Sequence, residues 1–167
     1  AWSLSYDMKV TDNSIFYCDT GSVGHGIYLY GDRTICTNNL VQYCRSGIFV
    51  YADYSIISNN LVYSSFLYGI QIYLRYNSIS SNVVRGQSVD AGSTTIYGIR
   101  VGSNADYNVI SGNNVYYVRN SGAGDGIGLG IEASNCDENT VVGNSMFNCD
   151  INYEDNSLTT LASGNNY

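Results

Sequence analysis

The sequence predicts an all-β fold, a right-handed parallel β-helix (β-solenoid) of about six coils, each with an asparagine at one corner. Three observations predict this fold. They are an internal repeat, a Gly-Ile-x-aliphatic signature inside that repeat, and a composition suited to continuous strands. The 167 residues are expected to form a single domain, 1–167, which is either a processed mature protein or an excised part of a longer chain.

The repeat is an aliphatic residue followed by asparagine three positions later and by another apolar residue five positions later. It recurs from VTDNSI at 10–15 to VVGNSM at 141–146, with a weaker copy at 162–167. A spacing of about 22 residues matches one turn of a solenoid. The predicted corner ladder consists of Asn13, Asn38, Asn59, Asn82, Asn113, Asn144 and Asn165. Amide side chains stacked at strand spacing satisfy one another's hydrogen bonds, so we interpret this ladder, and a shorter one through Asn77, Asn108 and Asn139, as structural.

The second signature places two aliphatic residues on one face of a strand, because side chains alternate along a strand. It is clear in Gly26-Ile27-Tyr28-Leu29 and is assigned in the fifth coil to Gly126-Ile127-Gly128-Leu129. One inward column is therefore predicted to contain Ile27, Ile48, Ile70, Ile99, Ile127 and Ile151. The glycine is expected to permit a sharp bend as the chain enters this strand.

Composition supports strands throughout. The chain has no proline and has 17 tyrosines, and only 13% of its residues are charged. Proline is excluded where every N–H joins a ladder, and tyrosine favours strands.

These motifs resemble the right-handed parallel β-helix repeats of the pectin-lyase-like superfamily, in particular the NosD-like repeat N-x-I-x-x-N…G-I-x-L. The resemblance covers Val10 to Tyr167. It implies the fold, but the superfamily includes polysaccharide lyases, hydrolases, epimerases, phage tailspikes and surface proteins, so it does not select a function.

The formal net charge of −7 argues against nucleic-acid partners, because phosphate binding needs clustered positive charge. No apolar stretch is long enough for membrane insertion.

Five cysteines without CxxC spacing, together with a single histidine, argue against a zinc site, and we expect no metal and no cofactor. Cys18 and Cys44 are predicted to lie in neighbouring coils, within the range of a disulfide. The alternative is that they remain reduced and act as small buried apolar residues. Such a bridge would indicate an extracellular or cell-surface location.

Catalytic motifs are incomplete. Gly24-His25-Gly26 is similar to an element of polygalacturonases, but the chain lacks the Asp-Asp pair that inverting hydrolysis requires. Asp32 and Asp53, with Arg75, Asn104 and Glu132, are predicted to stack at one turn. We interpret them as a solvated turn, with weak calcium binding as the alternative. We therefore predict no catalytic residues.

An outward aromatic stripe is the one candidate binding surface. It consists of Tyr28, Tyr30, Phe49, Tyr51 and Tyr73. In coils four and five the equivalent positions are Arg100, Gly102, Gly128 and Gly130, so we expect this half of the outer surface to be nearly bare of aromatic side chains. Stacked rings stabilise a sheet, and exposed rings also bind sugars or other subunits. With no capping helix found at either end, the sequence favours a non-enzymatic extracellular structural or adhesive solenoid that assembles with itself into a surface layer, fibre or filament. The alternative is a β-helix that binds or cleaves carbohydrate.

Overall fold

A computed structural model confirms the right-handed parallel β-helix. It describes residues 6–18, 24–86, 88–89, 94–132, 135–157 and 159–166, with only the backbone described at 88–89. Within these ranges every strand pairing is parallel. A membrane-spanning helix is not found among the described residues.

Six coils each contribute one strand to each of three sheets, and a seventh strand follows in the first of these sheets. Sheet A contains β1 (Lys9–Thr11), β4 (Ile35–Thr37), β7 (Ile56–Ser58), β10 (Ser78–Ser80), β14 (Val109–Ser111), β18 (Thr140–Val142) and β21 (Leu161–Ser163). Sheet B contains β2 (Ser14–Phe16), β5 (Leu40–Gln42), β8 (Leu61–Tyr63), β11 (Val83–Arg85), β15 (Asn114–Tyr116) and β19 (Ser145–Phe147). Sheet C contains β3 (His25–Tyr30), β6 (Ser46–Tyr51), β9 (Tyr68–Ile72), β13 (Ile96–Val101), β17 (Gly126–Ile131) and β20 (Ile151–Asp155). A two-stranded sheet of β12 (Ser88–Val89) and β16 (Arg119–Asn120) joins two longer loops.

The core is a stack of aliphatic columns. In sheet A the inward column runs through Cys36, Ile57, Ile79, Ile110 and Val141, all fully buried. Burial of such side chains is the main stabilising contribution, on the order of 1.5–3 kcal/mol each.

The corner ladder passes through Asn39 and Asn60, and the predicted members Asn38 and Asn59 are wrong. Asn39 donates from its backbone N–H and from Nδ2 to Asn60 Oδ1, at 3.0 and 2.9 Å. Asn60 repeats both bonds to Asn82 Oδ1, at 3.0 Å each. The full ladder is Asn13, Asn39, Asn60, Asn82, Asn113, Asn144 and Asn165.

The error has a physical cause. Asn38 and Asn59 occupy the left-handed backbone conformation that turns the corner, with φ of 60° and 56°, which asparagine tolerates better than most residues. The first residue of the repeat in this coil is Cys36 rather than Ile35. Cysteine is the buried inward residue there, with an exposed fraction of 0%.

A second correction concerns the fifth coil. Ile99 pairs with Leu129, and Tyr97 pairs with Ile127. The glycine column therefore continues through Gly128 and not through Gly126. The predicted members Ile127 and Ile151 pair with each other and lie outside the Ile27 column. The glycine column also contains Gly69, where an added Cβ would lie 2.3 Å from Val84 Cγ1 and 2.5 Å from the Gly98 carbonyl oxygen. Close packing at the bend therefore requires glycine. The fifth coil was assigned wrongly because its Gly-Ile-Gly-Leu sequence contains two glycines, and either one fits the pattern.

The shorter amide ladder extends further than the sequence suggests. Asn77 and Asn108 each donate a backbone N–H to the next Oδ1, at 2.9 Å. Ser55 donates its N–H to Asn77 Oδ1 at 2.8 Å, and Thr34 donates to Ser55 Oγ at 3.0 Å. Hydroxyl and amide oxygens thus serve the same acceptor role in successive coils.

Candidate functional site

The aromatic face comprises Tyr28, Tyr30, Phe49, Tyr51 and Tyr73 on the outer side of sheet C. In-register pairing of β3 with β6 brings Tyr28 onto Phe49, with ring centroids 4.9 Å apart and an interplanar angle of 11°. Tyr30 and Tyr51 stack at 5.5 Å and 5°. The rings therefore form two columns with a spacing close to that of the strands.

This orientation decides what the aromatic face can offer. The rings of Tyr30 and Tyr51 cover each other, and their exposed fractions are only 39% and 41%. Burial, with smaller contributions from Tyr30 and Tyr51, raises the pKa of Tyr28, so its phenol stays protonated. The face presents ring edges and hydroxyls rather than a row of open ring planes.

Tyr73 ends the aromatic columns differently. Its hydroxyl oxygen accepts hydrogen bonds from Gln71 Nε2 at 3.0 Å and from Arg100 Nη1 at 2.8 Å. Its ring lies over Gly102, where an added Cβ would be 2.9 Å from Tyr73 Cε1. Tyr73 therefore leans across the next coil instead of continuing the stack.

Arg100 sits in a cage of three tyrosine rings. Its guanidinium carbon is 4.9 Å from the Tyr68 ring centroid, 5.5 Å from that of Tyr73 and 5.8 Å from that of Tyr97. Arg100 also pairs with Glu132, and its side chain is only 11% exposed. Burial by itself would lower the pKa of Arg100, but the nearby tyrosines and Glu132 raise it overall.

This cage corrects the expectation that coils four and five leave the surface nearly bare. Tyr97 covers Gly130, where an added Cβ would lie 2.5 Å from Tyr97 Cε1, just as Tyr73 covers Gly102. Tyr68 and Tyr97 were not among the predicted site residues, and Glu132, which was predicted to lie at the turn beside Asp32 and Asp53, pairs with Arg100 instead. A signal was present, because Tyr68 and Tyr97 each stand directly before a repeat glycine.

A groove of about 220 Å³ borders the aromatic face. Its lining consists of Tyr6, Tyr30, Gly31, Asp32, Tyr51 and Leu74. Three phenol rings, one carboxylate and a small apolar patch thus meet at the turn that follows sheet C.

The turn carboxylates have backbone partners. Asp32 Oδ1 accepts the Asp53 N–H at 3.0 Å, and Asp53 Oδ1 accepts the Arg75 N–H at 2.7 Å. The column continues through Asp106 and Asp137, not through the predicted Asn104 and Glu132. Within the described ranges no three His, Cys, Asp or Glu side chains gather as a metal site would require.

His25 packs as an aromatic residue. Its ring centroid is 4.6 Å from that of Phe49 and 5.4 Å from that of Tyr28. Burial, together with the charge of Arg45, lowers the pKa of His25. Its buried Nδ1 atom lacks a hydrogen-bond partner among the described residues. A carboxylate to orient it as an acid or base is not among its described contacts.

No disulfide joins Cys18 and Cys44, although the pairing of β2 with β5 places them at equivalent positions of successive coils. Each thiol instead contacts a carbonyl oxygen two residues earlier in its own coil. Cys18 Sγ is 3.9 Å from Phe16 O, and Cys44 Sγ is 3.3 Å from Gln42 O.

Comparison with known proteins gives one match. The family model described as periplasmic copper-binding protein (NosD) matches residues 2–167. No curated protein and no solved structure matches the chain.

That description names copper, and the side chains of this chain that could bind copper are few. Copper favours thiolate, thioether and imidazole ligands. Burial raises the pKa of the Cys36 thiol to about 12, which keeps it protonated. The two methionines, Met8 and Met146, lie in the first and sixth coils, and the single imidazole of His25 faces aromatic rings. The donors among the residues that the structure describes do not fit a copper centre.

The family assignment rests on the repeat and not on a metal site. The match covers nearly the whole chain, and the parallel sheets and glycine bends are those that the repeat predicts. This chain therefore belongs to the NosD family.

Proposed function

We propose that this chain is a non-enzymatic structural or adhesive β-solenoid, located outside the cytoplasm, that assembles end to end with further copies of itself. The periplasmic description of the family model supports the location. The use of polar side chains in coil-to-coil bonds supports the structural role. Asparagine amides, Asp32 and Asp53 all bond to the backbone or side chains of the next coil.

The single observation that supports the assembly is the direction of the ladder. In every step the earlier asparagine donates and the later Oδ1 accepts. The two faces of a coil are therefore complementary, since one face presents Oδ1 acceptors and the other presents N–H donors, and a coil of a second copy fits either face in the same sense.

The strand edges repeat this relation. Ile35 donates its N–H backwards to Met8 O, so the equivalent Lys9 N–H points away from the stack. A cavity of about 240 Å³, lined mainly by inward-facing residues such as Met8, Val10, Ile15 and Ile27, opens at this end. At the other end of the described residues Ala162, which follows the buried Val141 in the inward column of sheet A, is exposed. Head-to-tail pairing of such edges does not close into a ring and produces filaments.

The experiment uses Lys9→Pro, which removes the outward N–H of the edge strand, with Lys9→Gln as the matched control that keeps it. We expect wild type and Lys9→Gln to form elongated oligomers in multi-angle light scattering and electron microscopy. Lys9→Pro should be monomeric with an unchanged circular dichroism spectrum. A wild-type protein that remains monomeric at high concentration would contradict the assembly.

Carbohydrate binding is the alternative function. The groove beside Tyr30 and Tyr51 favours it, whereas the mutual stacking of those rings removes the open planes on which sugars pack. A glycan array, combined with a turnover assay on acidic polysaccharides, separates the two. Tight binding that is lost in Tyr51→Ala and Tyr73→Ala would favour carbohydrate recognition over assembly.

A further inference from the structure

A second tyrosine stack, outside the aromatic face, lies at the corner between sheets C and A. Tyr54, Tyr76 and Tyr107 occupy equivalent corner positions, because each donates its backbone N–H to the carbonyl oxygen just before the next corner residue, at 3.1–3.2 Å. Adjacent ring centroids are 4.9 and 5.0 Å apart, with interplanar angles of 6° and 9°. The three rings therefore form one column that links three coils.

The backbone of these three tyrosines is unusual. Their φ angles are 56°, 59° and 56°, in the left-handed region that a bulky side chain rarely adopts. At the corner between sheets A and B the chain uses residues that enter this region more easily, such as Asn59 and Gly112. Tyrosine therefore occupies the corner between sheets C and A at a conformational cost, which indicates a role for its ring or its phenol.

The stack is accessible to small oxidants, since Tyr54, Tyr76 and Tyr107 are 58%, 43% and 41% exposed. A phenol that loses one electron and one proton becomes a radical, with spin density on the ring carbons next to the carbon that bears the oxygen. Two such radicals on neighbouring rings couple at these carbons. The column holds neighbouring rings side by side, so the coupling becomes a step within one molecule.

A proton acceptor stands at one end of the column. The charge of Glu138, at the next corner position, raises the pKa of Tyr107, as do burial, the neighbouring Tyr76 and a hydrogen bond to the Glu138 carboxylate. The phenol is therefore protonated in the resting protein. When the ring loses an electron its phenol becomes strongly acidic, and the same carboxylate is in place to accept the proton.

We propose that Tyr54, Tyr76 and Tyr107 form a site of oxidative modification, at which a one-electron oxidant, such as a peroxidase with hydrogen peroxide, joins two adjacent tyrosines by a carbon–carbon bond. Each of the two phenols loses one electron and one proton, and the radicals couple at ring carbons next to the hydroxyl-bearing carbons. The hydrogen on each coupled carbon then moves to the phenol oxygen, so the product retains both hydroxyl groups. The protein loses two hydrogen atoms in total, and one hydrogen peroxide is reduced to two waters. The bond joins two coils of one chain, so this proposal and end-to-end assembly can fail independently.

The test treats the full chain, diluted to limit contact between molecules, with a photo-activated ruthenium complex and persulfate as the one-electron oxidant. Trypsin cleavage after Arg75 and Arg85 then releases residues 76–85, in which Tyr76 is the only tyrosine. We expect mass spectrometry to find this peptide linked to Tyr54 or Tyr107, with the mass of two hydrogen atoms lost. The same linkage should be at least about fivefold rarer when the chain is oxidised in urea, because unfolding separates the rings.

Two variants test the proton acceptor. Glu138→Gln removes the carboxylate beside Tyr107, whereas Asp12→Asn removes an exposed carboxylate at the corner between sheets A and B, where the backbone is also left-handed. We expect Glu138→Gln to slow the linkage of Tyr76 to Tyr107 about three- to fivefold, and Asp12→Asn to change it less than about twofold. Linkage that is as frequent in urea as in the folded chain, or equal rates in the two variants, would overturn the proposal.

Discussion

Replacing Asn60 by alanine removes one rung of the corner ladder, whereas Asn59→Gly alters only the adjacent corner. Asn60 is 1% exposed; its Oδ1 accepts two bonds from Asn39, and its Nδ2 donates to Cys36 O at 2.8 Å. Asn59 is exposed, and its φ of 56° suits glycine as well as asparagine. A comparison of the two substitutions therefore separates the contribution of the ladder to stability from that of the corner.

The magnitude follows from the groups left without partners. In Asn60→Ala the Asn39 N–H and the Cys36 carbonyl oxygen each lose a bond inside the core. A buried unsatisfied group costs about 1–3 kcal/mol, so we expect the free energy of unfolding to fall by about 2–6 kcal/mol. Asn59→Gly keeps its backbone bond to Ser80 O and should cost less than about 1 kcal/mol.

The assay is urea and thermal unfolding followed by circular dichroism. For a chain of this length, a loss of about 4 kcal/mol corresponds to a fall in melting temperature of roughly 8–16 °C. Native-state hydrogen exchange should show the lost protection at the Asn39 amide. Equal destabilisation by the two variants, or a larger effect of Asn59→Gly, would refute the assignment of the ladder to Asn60.

Two further predictions concern the glycine column and the Arg100 cage. Gly69→Ala should lower the free energy of unfolding by about 2 kcal/mol or more, because the added Cβ would overlap a backbone carbonyl. Gly112 has open space around it, so Gly112→Ala should lower that free energy by only about 1–2 kcal/mol, because alanine is strained at a φ of 61°. Urea unfolding measures both changes. Burial, and then the carboxylates of Glu132 and Glu154, raise the pKa of Tyr97 from 10.0 to about 12. Because the folded state holds this proton more tightly, the associated stability is complete below pH 10 and is lost as the pH rises toward 12, by up to about 3 kcal/mol. Urea unfolding of Tyr97→Phe across this pH range should show a flatter decline, and an unchanged slope would contradict the assignment.

Local periodicity accounts for the part of the fold that sequence reasoning predicted. A strand of three residues and a corner recur in each coil, so the spacing of Asn82, Asn113 and Asn144 already implies a stack. Where the spacing was ambiguous the prediction failed. Two adjacent asparagines at 38–39 and 59–60 both satisfy the pattern, and only the pairing of Cys36 with Ile57 identifies the ladder member.

The candidate site was predicted in part. Alternation along each strand placed Tyr30 and Tyr51 on one outer face, and they stack there. The cage around Arg100 could not be derived in the same way. It depends on the register of β13 against β17 and on long side chains that reach across neighbouring coils.

The sequence by itself determined the coil, the inward columns of the first four coils and the outward face of Tyr30 and Tyr51, because these depend on spacing within one repeat. Only the tertiary structure decided the ring planes, the tyrosine cage and the groove at Asp32. Each of these depends on how one coil sits on the next. The physical reason is that a repeat specifies which residues recur, while van der Waals contact between coils specifies which way they turn.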